Sequence, residues 1–202
     1  MIAIRRYTPA DDAALLPLLV AAFRNDPGYE HVFREGRDEA LTFLMPRLLA
    51  LRVKVGTVRV AEHDGEVAGV LSSTASNVRL GMVDYVMQGL PRIAWEIGLR
   101  TTRRLLDTDR EILQLRNTVQ PTVHHRYLAQ LACHPDHQGQ GVGRALMESF
   151  LAEEVDPVHQ HAALMTTKST NVLWYGKAGF EIAGQSGIQG AFTAWCMVRP
   201  PR

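Results

Sequence analysis

Apolar and polar residues alternate in Ile2–Arg6 and apolar ones then recur at helical spacing over residues 9–24, so the chain is predicted to open as a strand followed by a helix. Thr8 before Pro9, with Asp11 and Asp12 in the first turn, is the pattern of a capped helix start. Asn25-Asp26-Pro27-Gly28 is expected to stop that helix. Residues 37–54 carry a second helical pattern through Leu41, Leu44, Leu48 and Leu51, with a kink expected at Pro46. Two β-branched or apolar runs follow, 57–62 and 67–73, and the Asp64-Gly65 pair between them reads as a hairpin turn. Residues 77–120 are helical in pieces (82–90, 91–106 and 109–115), too long for a simple connection and therefore a helical insertion expected to cover something.

The stretch 126–154 changes its grammar twice. Residues 127–133 form an apolar run of strand length, ended by Pro135, which cannot extend a ladder. In Gln138-Gly139-Gln140-Gly141-Val142-Gly143-Arg144 the glycines let the main chain turn tightly and approach a ligand closely. From Gly143 the period becomes helical, through Leu146, Met147, Phe150 and Leu151. A strand at 162–166, a helix at 170–177 capped by Ser169 or Thr170, and strands at 180–183 and Phe192–Arg199 complete the pattern. The sum is seven strands with interspersed helices, an α/β (α+β) chain expected to form one domain over residues 1–202.

Composition narrows the chemistry. Lys+Arg 22 against Asp+Glu 21 leaves a formal charge of +1, so no global charge draws the chain to nucleic acid or an anionic membrane. Cys133 and Cys196 both fall in apolar runs, which fits buried thiols in a reducing, cytoplasmic setting better than a disulfide framework. Arg5 and Arg6 before the apolar residues 13–23 imitate a secretory leader, but Asp11 and Asp12 break the imitation. No apolar run reaches the roughly 20 residues that cross a bilayer. His134, His137, His159 and His161 have no recognised ligand spacing, and no metal is expected.

A glycine-rich turn feeding a helix N-terminus offers unpaired amides and a positive dipole to phosphate oxygens, so the expected ligand carries a pyrophosphate. The G-x-G-x-G run is not the G-x-G-x-x-G of dinucleotide folds, and Gly143 is followed by Arg144 and Ala145 where a P-loop needs Lys and Ser or Thr. It does resemble the pyrophosphate loop of the GNAT superfamily of acyl-CoA-dependent N-acetyltransferases, whose [QR]-x-x-G-x-[GA] is matched by Gln138, Gly141 and Gly143. Residues 171–180, with Asn171, Trp174, Tyr175, Gly179 and Phe180, resemble that family's second recurring block. Ala22-Phe23 with Asp26-Pro27, His125-x-Tyr127-Leu128 and the ending Thr193-Ala194-Trp195-Cys196-Met197 are similar to its puromycin N-acetyltransferase-like branch. Arg126, where that branch often has Trp, and Cys133, where it often has a small β-branched residue, depart from the pattern.

The resemblance implies a GNAT fold: a mixed, twisted sheet of about six or seven strands splayed between the fourth and fifth, with flanking helices and the insertion before the fourth strand. It implies acetyl-CoA as co-substrate, with phosphates on Gln138, Gly139, Gln140, Gly141, Val142, Gly143 and Arg144 and the pantetheine arm paired to the main chain of Leu131, Ala132 and Cys133. Asn171 would fix the pantetheine or a water, although a helix cap is the competing reading. Arg144 reads equally as a solvated surface residue. Tyr175 would protonate the leaving thiolate, unless it is only a core aromatic. Asp26, Glu30, His63 and His125 are candidate bases; His125 is preferred for its ordinary pKa near neutrality and for sharing strand parity with Leu131 and Cys133.

The expected activity is direct acetyl transfer to a primary amine of a small molecule. A protein or peptide acceptor and a non-catalytic acyl-CoA-binding module are the alternatives. The oligomeric state stays open, a homodimer among the options.

Overall fold

The computed structural model describes residues 1–78 and 90–202. Seven strands, β1 (Ile2–Arg6), β2 (Thr57–His63), β3 (Glu66–Ala75), β4 (His125–Cys133), β5 (His161–Thr166), β6 (Glu181–Ile188) and β7 (Phe192–Arg199), form one sheet in the order β1-β2-β3-β4-β5-β7-β6. Every neighbouring pair is antiparallel except β4 and β5, which run parallel. The β2–β3 hairpin turns on Asp64 and Gly65, both at positive φ, as the Asp-Gly signal demands.

Helices cover both faces. On one, α1 (Asp12–Phe23) and α3 (Arg37–Val55) pack Leu15, Leu18, Leu41 and Met45 onto Val58, Val60, Val70 and Ala132 of the sheet. On the other, α6 (Val142–Phe150) seats Leu146, Met147 and Phe150 on Ala61, Leu71, Leu128 and Leu164, with α7 (Ser169–Lys177) contributing Tyr175. Among the described residues no helix is long and apolar enough to cross a membrane.

The structure departs from the sequence reading in four elements. Asp26-Pro27 does not merely end α1: it starts a short helix α2 (Pro27–Val32), because Asp26 Oδ1 accepts from the amides of Gly28 at 2.9 Å and Tyr29 at 3.3 Å and Pro27 takes the first helical position. In the insertion, α4 (Leu90–Ile97) and α5 (Leu99–Val119) meet at Gly98, and α5 runs unbroken through the expected gap at 107–108, where Asp107 pairs with Arg103 and Arg110 along its surface. The predicted piece 82–90 lies, except for its last residue, outside the described residues. Strand β6 extends to Ile188 rather than ending at 183, since it pairs with β7 along its whole length.

The fourth departure follows α6, where residues Leu151–Val155 form a π turn that turns Glu154 inward. There its carboxylate meets the buried Arg59 guanidinium of β2 and accepts from Ser73 Oγ at 2.9 and 2.7 Å, while Glu153 takes the other Arg59 nitrogen at 3.0 Å. This buried charge knot pins the end of α6 to β2 and β3.

Candidate active site

The site is built where β4 and β5 part. They pair only from His125 with His161 to Leu128 with Leu164, and β5 then continues against β7 alone. On its other side β4 shifts register against β3, with Leu128 opposite Ser73 and Gln130 opposite Ser72, so Ala129 is an inserted bulge residue. Gln130 to Cys133 keep β3 as a partner but have none on the β5 side. A free edge of main-chain groups inside a sheet is a docking rail for an extended ligand, and Leu131, Ala132 and Cys133 lie along it.

The bulge also overturns the parity expected for His125. Without an extra residue, His125 would share a face with Leu131 and Cys133. With Ala129 inserted, Leu128, Leu131 and Cys133 face α6, while Tyr127, Gln130, Ala132 and His125 face α1 and α3. His125 is also about 13 Å along the strand from Ala129, at the closed end of the parting strands. It is buried, its Nδ1 donates to Val123 O at 3.0 Å, and Nε2 is enclosed without a partner. Burial, with Arg116, His161 and His124 close by, lowers its pKa, so it is neutral at physiological pH.

The loop after β4 has the shape the glycines promised. A 3-10 turn, Pro135–His137, leads into it, and Gln140 Nε2 closes it on Asp136 O at 2.8 Å. Gly141 sits at φ 90°, the left-handed region that glycine enters without strain, and directs the chain into α6. The first amide bonded back along α6 is that of Ala145, to Gly141 O at 2.9 Å, so the amides of Val142, Gly143 and Arg144 precede the helical ladder. Gly143 answers a different need: a side-chain carbon there would lie 3.3 Å from Cys133 Sγ and 3.6 Å from Trp174 Cζ2. Its absence lets the helix start press against the end of β4. Arg144 is exposed and pairs with Glu148 at 2.7 Å.

Tyr175 enters the gap from α7. Its ring is buried, edge-on to Trp174 at 5.0 Å and to Phe180 at 6.0 Å. Desolvation, with smaller contributions from Cys133 and Tyr127, drives its phenol well above the ordinary range, so it keeps its proton. Cys133 is likewise pushed up, to about 11, by burial and is a thiol rather than a thiolate. Asn171 lies in the first turn of α7 and donates from Nδ2 to Thr166 Oγ1 at 3.3 Å, tying the helix to the end of β5.

Across the sheet from α6 a second space opens. Tyr29 of α2, edge-on to Phe23 and stacked on Phe33, and Tyr127 of β4 are half-buried on this face, and desolvation raises both phenols, Tyr29 to about 12. Asp109, Arg52 and Asp26 act on Tyr29, and Arg116, Arg52, Asp109 and Cys196 act on Tyr127, so α2, α3, α5, β4 and β7 border one polar space. Arg116 lies with its guanidinium 3.8 Å over the Tyr127 ring. The cleft has a roof at Gln189 of the β6–β7 turn, which bonds Glu111 and Thr108 of α5 at 3.1 and 3.4 Å and His31 of α2 at 2.8 Å. Asp26, besides capping α2, accepts from Thr167 Oγ1 at 2.7 Å, just beyond β5.

The other expected bases lie elsewhere. Glu30 is exposed and paired with Arg37 at 3.2 Å, and His63 stands against His137, with Nδ1 atoms 3.4 Å apart, beside the glycine loop. Asp109 and Arg116 escaped the sequence reading because they lie in an insertion with no motif of their own, and Tyr127, read as part of a strand motif, was given no role because the bulge that turns it was hidden.

Comparison with known proteins agrees with this construction. Residues 107–182 match the family model for the acetyltransferase (GNAT) domain. A Corynebacterium glutamicum protein described as histone acetyltransferase HPA2 and related acetyltransferase superposes with a TM-score of 0.73 at 22% identity, over 100% of this chain and 97% of that one. The Drosophila melanogaster polyamine N-acetyltransferase, which forms N-acetylagmatine, gives 0.59 at 15% identity over 99% and 100%. The Thermoplasma acidophilum PaiA N-acetyltransferase, solved with coenzyme A, gives 0.56 at 12% identity over 99% of each. The fold is the GNAT fold, and residues 107–182 match the acetyltransferase (GNAT) domain.

Proposed function

We propose that the protein transfers an acetyl group from acetyl-CoA directly to a primary amine of a small molecule held in the roofed cleft between α2, α5 and β4. One observation carries the reading: β4 and β5 stop pairing after Leu128 and Leu164, which leaves Gln130 to Cys133 an open edge between the glycine-loop face and the Tyr127 face of the sheet. A cofactor and an acceptor approaching from opposite faces meet there without an acyl-enzyme.

Roles follow from the chemistry. Pyrophosphate oxygens bind the free amides of Val142, Gly143 and Arg144 and the loop Gln138, Gly139, Gln140 and Gly141, while the Arg144 side chain, already paired with Glu148, adds only general positive charge. The pantetheine pairs with the open edge of Leu131, Ala132 and Cys133. A main-chain amide of that edge donates to the oxyanion as the amine attacks the thioester carbonyl. Tyr175, a phenol that stays protonated, donates to the departing sulfur. Asn171 holds the end of β5 and so the width of the gap between β4 and β5. Asp109 and Asp26 supply the negative charge that draws an ammonium into the cleft, and Asp109, exposed on α5, relays its proton to solvent. His125, enclosed and distant from the thioester, supports the cleft wall instead of acting as base.

The roof at Gln189 favours a small acceptor over a polypeptide, which needs an open groove. The test is acetyl-CoA-dependent thiol release by the purified protein over a panel of amines, amino acids and short peptides. Release with small amines is expected; release with peptides alone, or none with any amine despite bound acetyl-CoA, would refute the reading.

A further inference from the structure

We propose that Arg116 is an acceptor-selecting residue, and that the preferred substrate carries a carboxylate a short chain away from the amine that is acetylated. The inference deepens the acetyltransfer reading and rests on it. Three observations lead to it. The Arg116 guanidinium lies flat on the Tyr127 ring, 3.8 Å from its centre, so its orientation is set by the sheet rather than by solvent. Its Nε is enclosed and has no hydrogen-bond partner among the described residues, which leaves the terminal nitrogens as the working edge. Among the described residues that guanidinium has no carboxylate within ion-pair distance, although most other arginines of the chain are paired, as Arg5, Arg24, Arg59, Arg126 and Arg199 are.

A half-buried guanidinium, oriented by an aromatic ring and without a paired carboxylate among the described residues, is the arrangement that recognises a planar anion through two parallel N–H donors. Asp109, two helical turns earlier on the same face of α5, gives the cleft its opposite charge, so the complement is a zwitterion and not a polycation. Buried, neutral His125, on the same strand face as Tyr127, adds no competing positive charge. Tyr127 stands two residues, about 7 Å, before Ala129, beyond which the open edge of β4 begins; with the thioester at that edge, as proposed above, the carboxylate and amine are separated by a chain of that order.

The test compares glycine, 4-aminobutyrate and 5-aminopentanoate with butylamine and 1,4-diaminobutane as acceptors, and wild type with Arg116→Gln and Arg116→Glu. Binding of the same compounds to the coenzyme A complex is measured by calorimetry. The expected result is a kcat/KM at least tenfold higher for an ω-amino acid than for butylamine. Arg116→Gln should lower it at least tenfold more for the amino acid than for butylamine, and Arg116→Glu should shift the preference toward the diamine. Equal or better use of butylamine or the diamine by wild type, or an equal loss on every acceptor in Arg116→Gln, overturns the subsite while leaving acetyl transfer intact. Arg116-dependent binding of the amino acid without any turnover supports the subsite and overturns the transfer reading. Absence of both binding and turnover overturns both.

Discussion

Tyr175 and Cys133 show how one environment can suit two groups to different tasks. Both pack on the α6 side of the sheet, both are desolvated, and both are held in their protonated forms. For a phenol that must donate to a departing thiolate this is the working state. For a thiol it removes nucleophilicity, in keeping with direct transfer. Tyr175→Phe is therefore expected to lower kcat at least tenfold with little change in acetyl-CoA affinity, as a stopped-flow thiol assay beside calorimetry would register. A wild-type rate that falls only at strongly alkaline pH belongs to the same expectation, since the phenol loses its proton well above the ordinary range. Asp11 offers a stability counterpart. Its carboxylate pairs with Arg5 at 2.6 Å and accepts the Thr8 amide at 2.7 Å, and its pKa is lowered to about 2, the Arg5 hydrogen bond being the largest cause. A lowered folded pKa means its contribution is present above about pH 4 and is lost as pH falls toward 2. Asp11→Asn should cost ~1 kcal/mol at pH 7 and flatten acid unfolding across that window, measured by denaturant titration at several pH values.

At the scale of elements, two irregularities govern the site. The bulge at Ala129 decides which side chains of β4 face α6 and which face α1 and α3, because one added residue exchanges the two faces upstream of it. Deleting Ala129 is expected to turn Tyr127 toward α6 and abolish acceptor binding more completely than any single substitution in the cleft, a result visible by calorimetry on whatever folded protein is recovered. The π turn after α6 is the other. It buries Glu154 against Arg59 and Ser73, and a guanidinium left without that partner would be desolvated and unpaired. Glu154→Ala should cost about 3 kcal/mol in a denaturant melt, with Arg59→Met combined with Glu154→Leu recovering much of it.

For the molecule as a whole, the sheet is a partition in which β4 and β5 part. Helices α1 and α3 close one face and α6 and α7 the other, and the proposed function brings the cofactor and the acceptor to the reaction centre from separate sides. Because the phosphate loop, the open edge and Tyr175 come from different elements, cofactor binding should stabilise the folded chain as a unit. Acetyl-CoA at about a hundredfold over its Kd is expected to raise Tm by about 5 to 10 °C, read by scanning calorimetry, and Gly141→Val should remove most of that rise.

Sequence alone determined the strands, most of the helices and the shape of the glycine loop, because hydrophobic period, turn chemistry and glycine placement are local and survive without tertiary context. The Asp64-Gly65 hairpin and the strand–loop–helix run from β4 into α6 are cases where local preference and the final fold agree. Helix α2 was hidden because Asp-Pro ends one helix and begins the next with the same residues. The face of His125, the parting of β4 from β5, the roof at Gln189 and the stacking of Arg116 on Tyr127 were decided only by tertiary structure. Each depends on register or on contact between residues far apart in the chain, and no period of a single segment encodes where a neighbouring strand stops pairing.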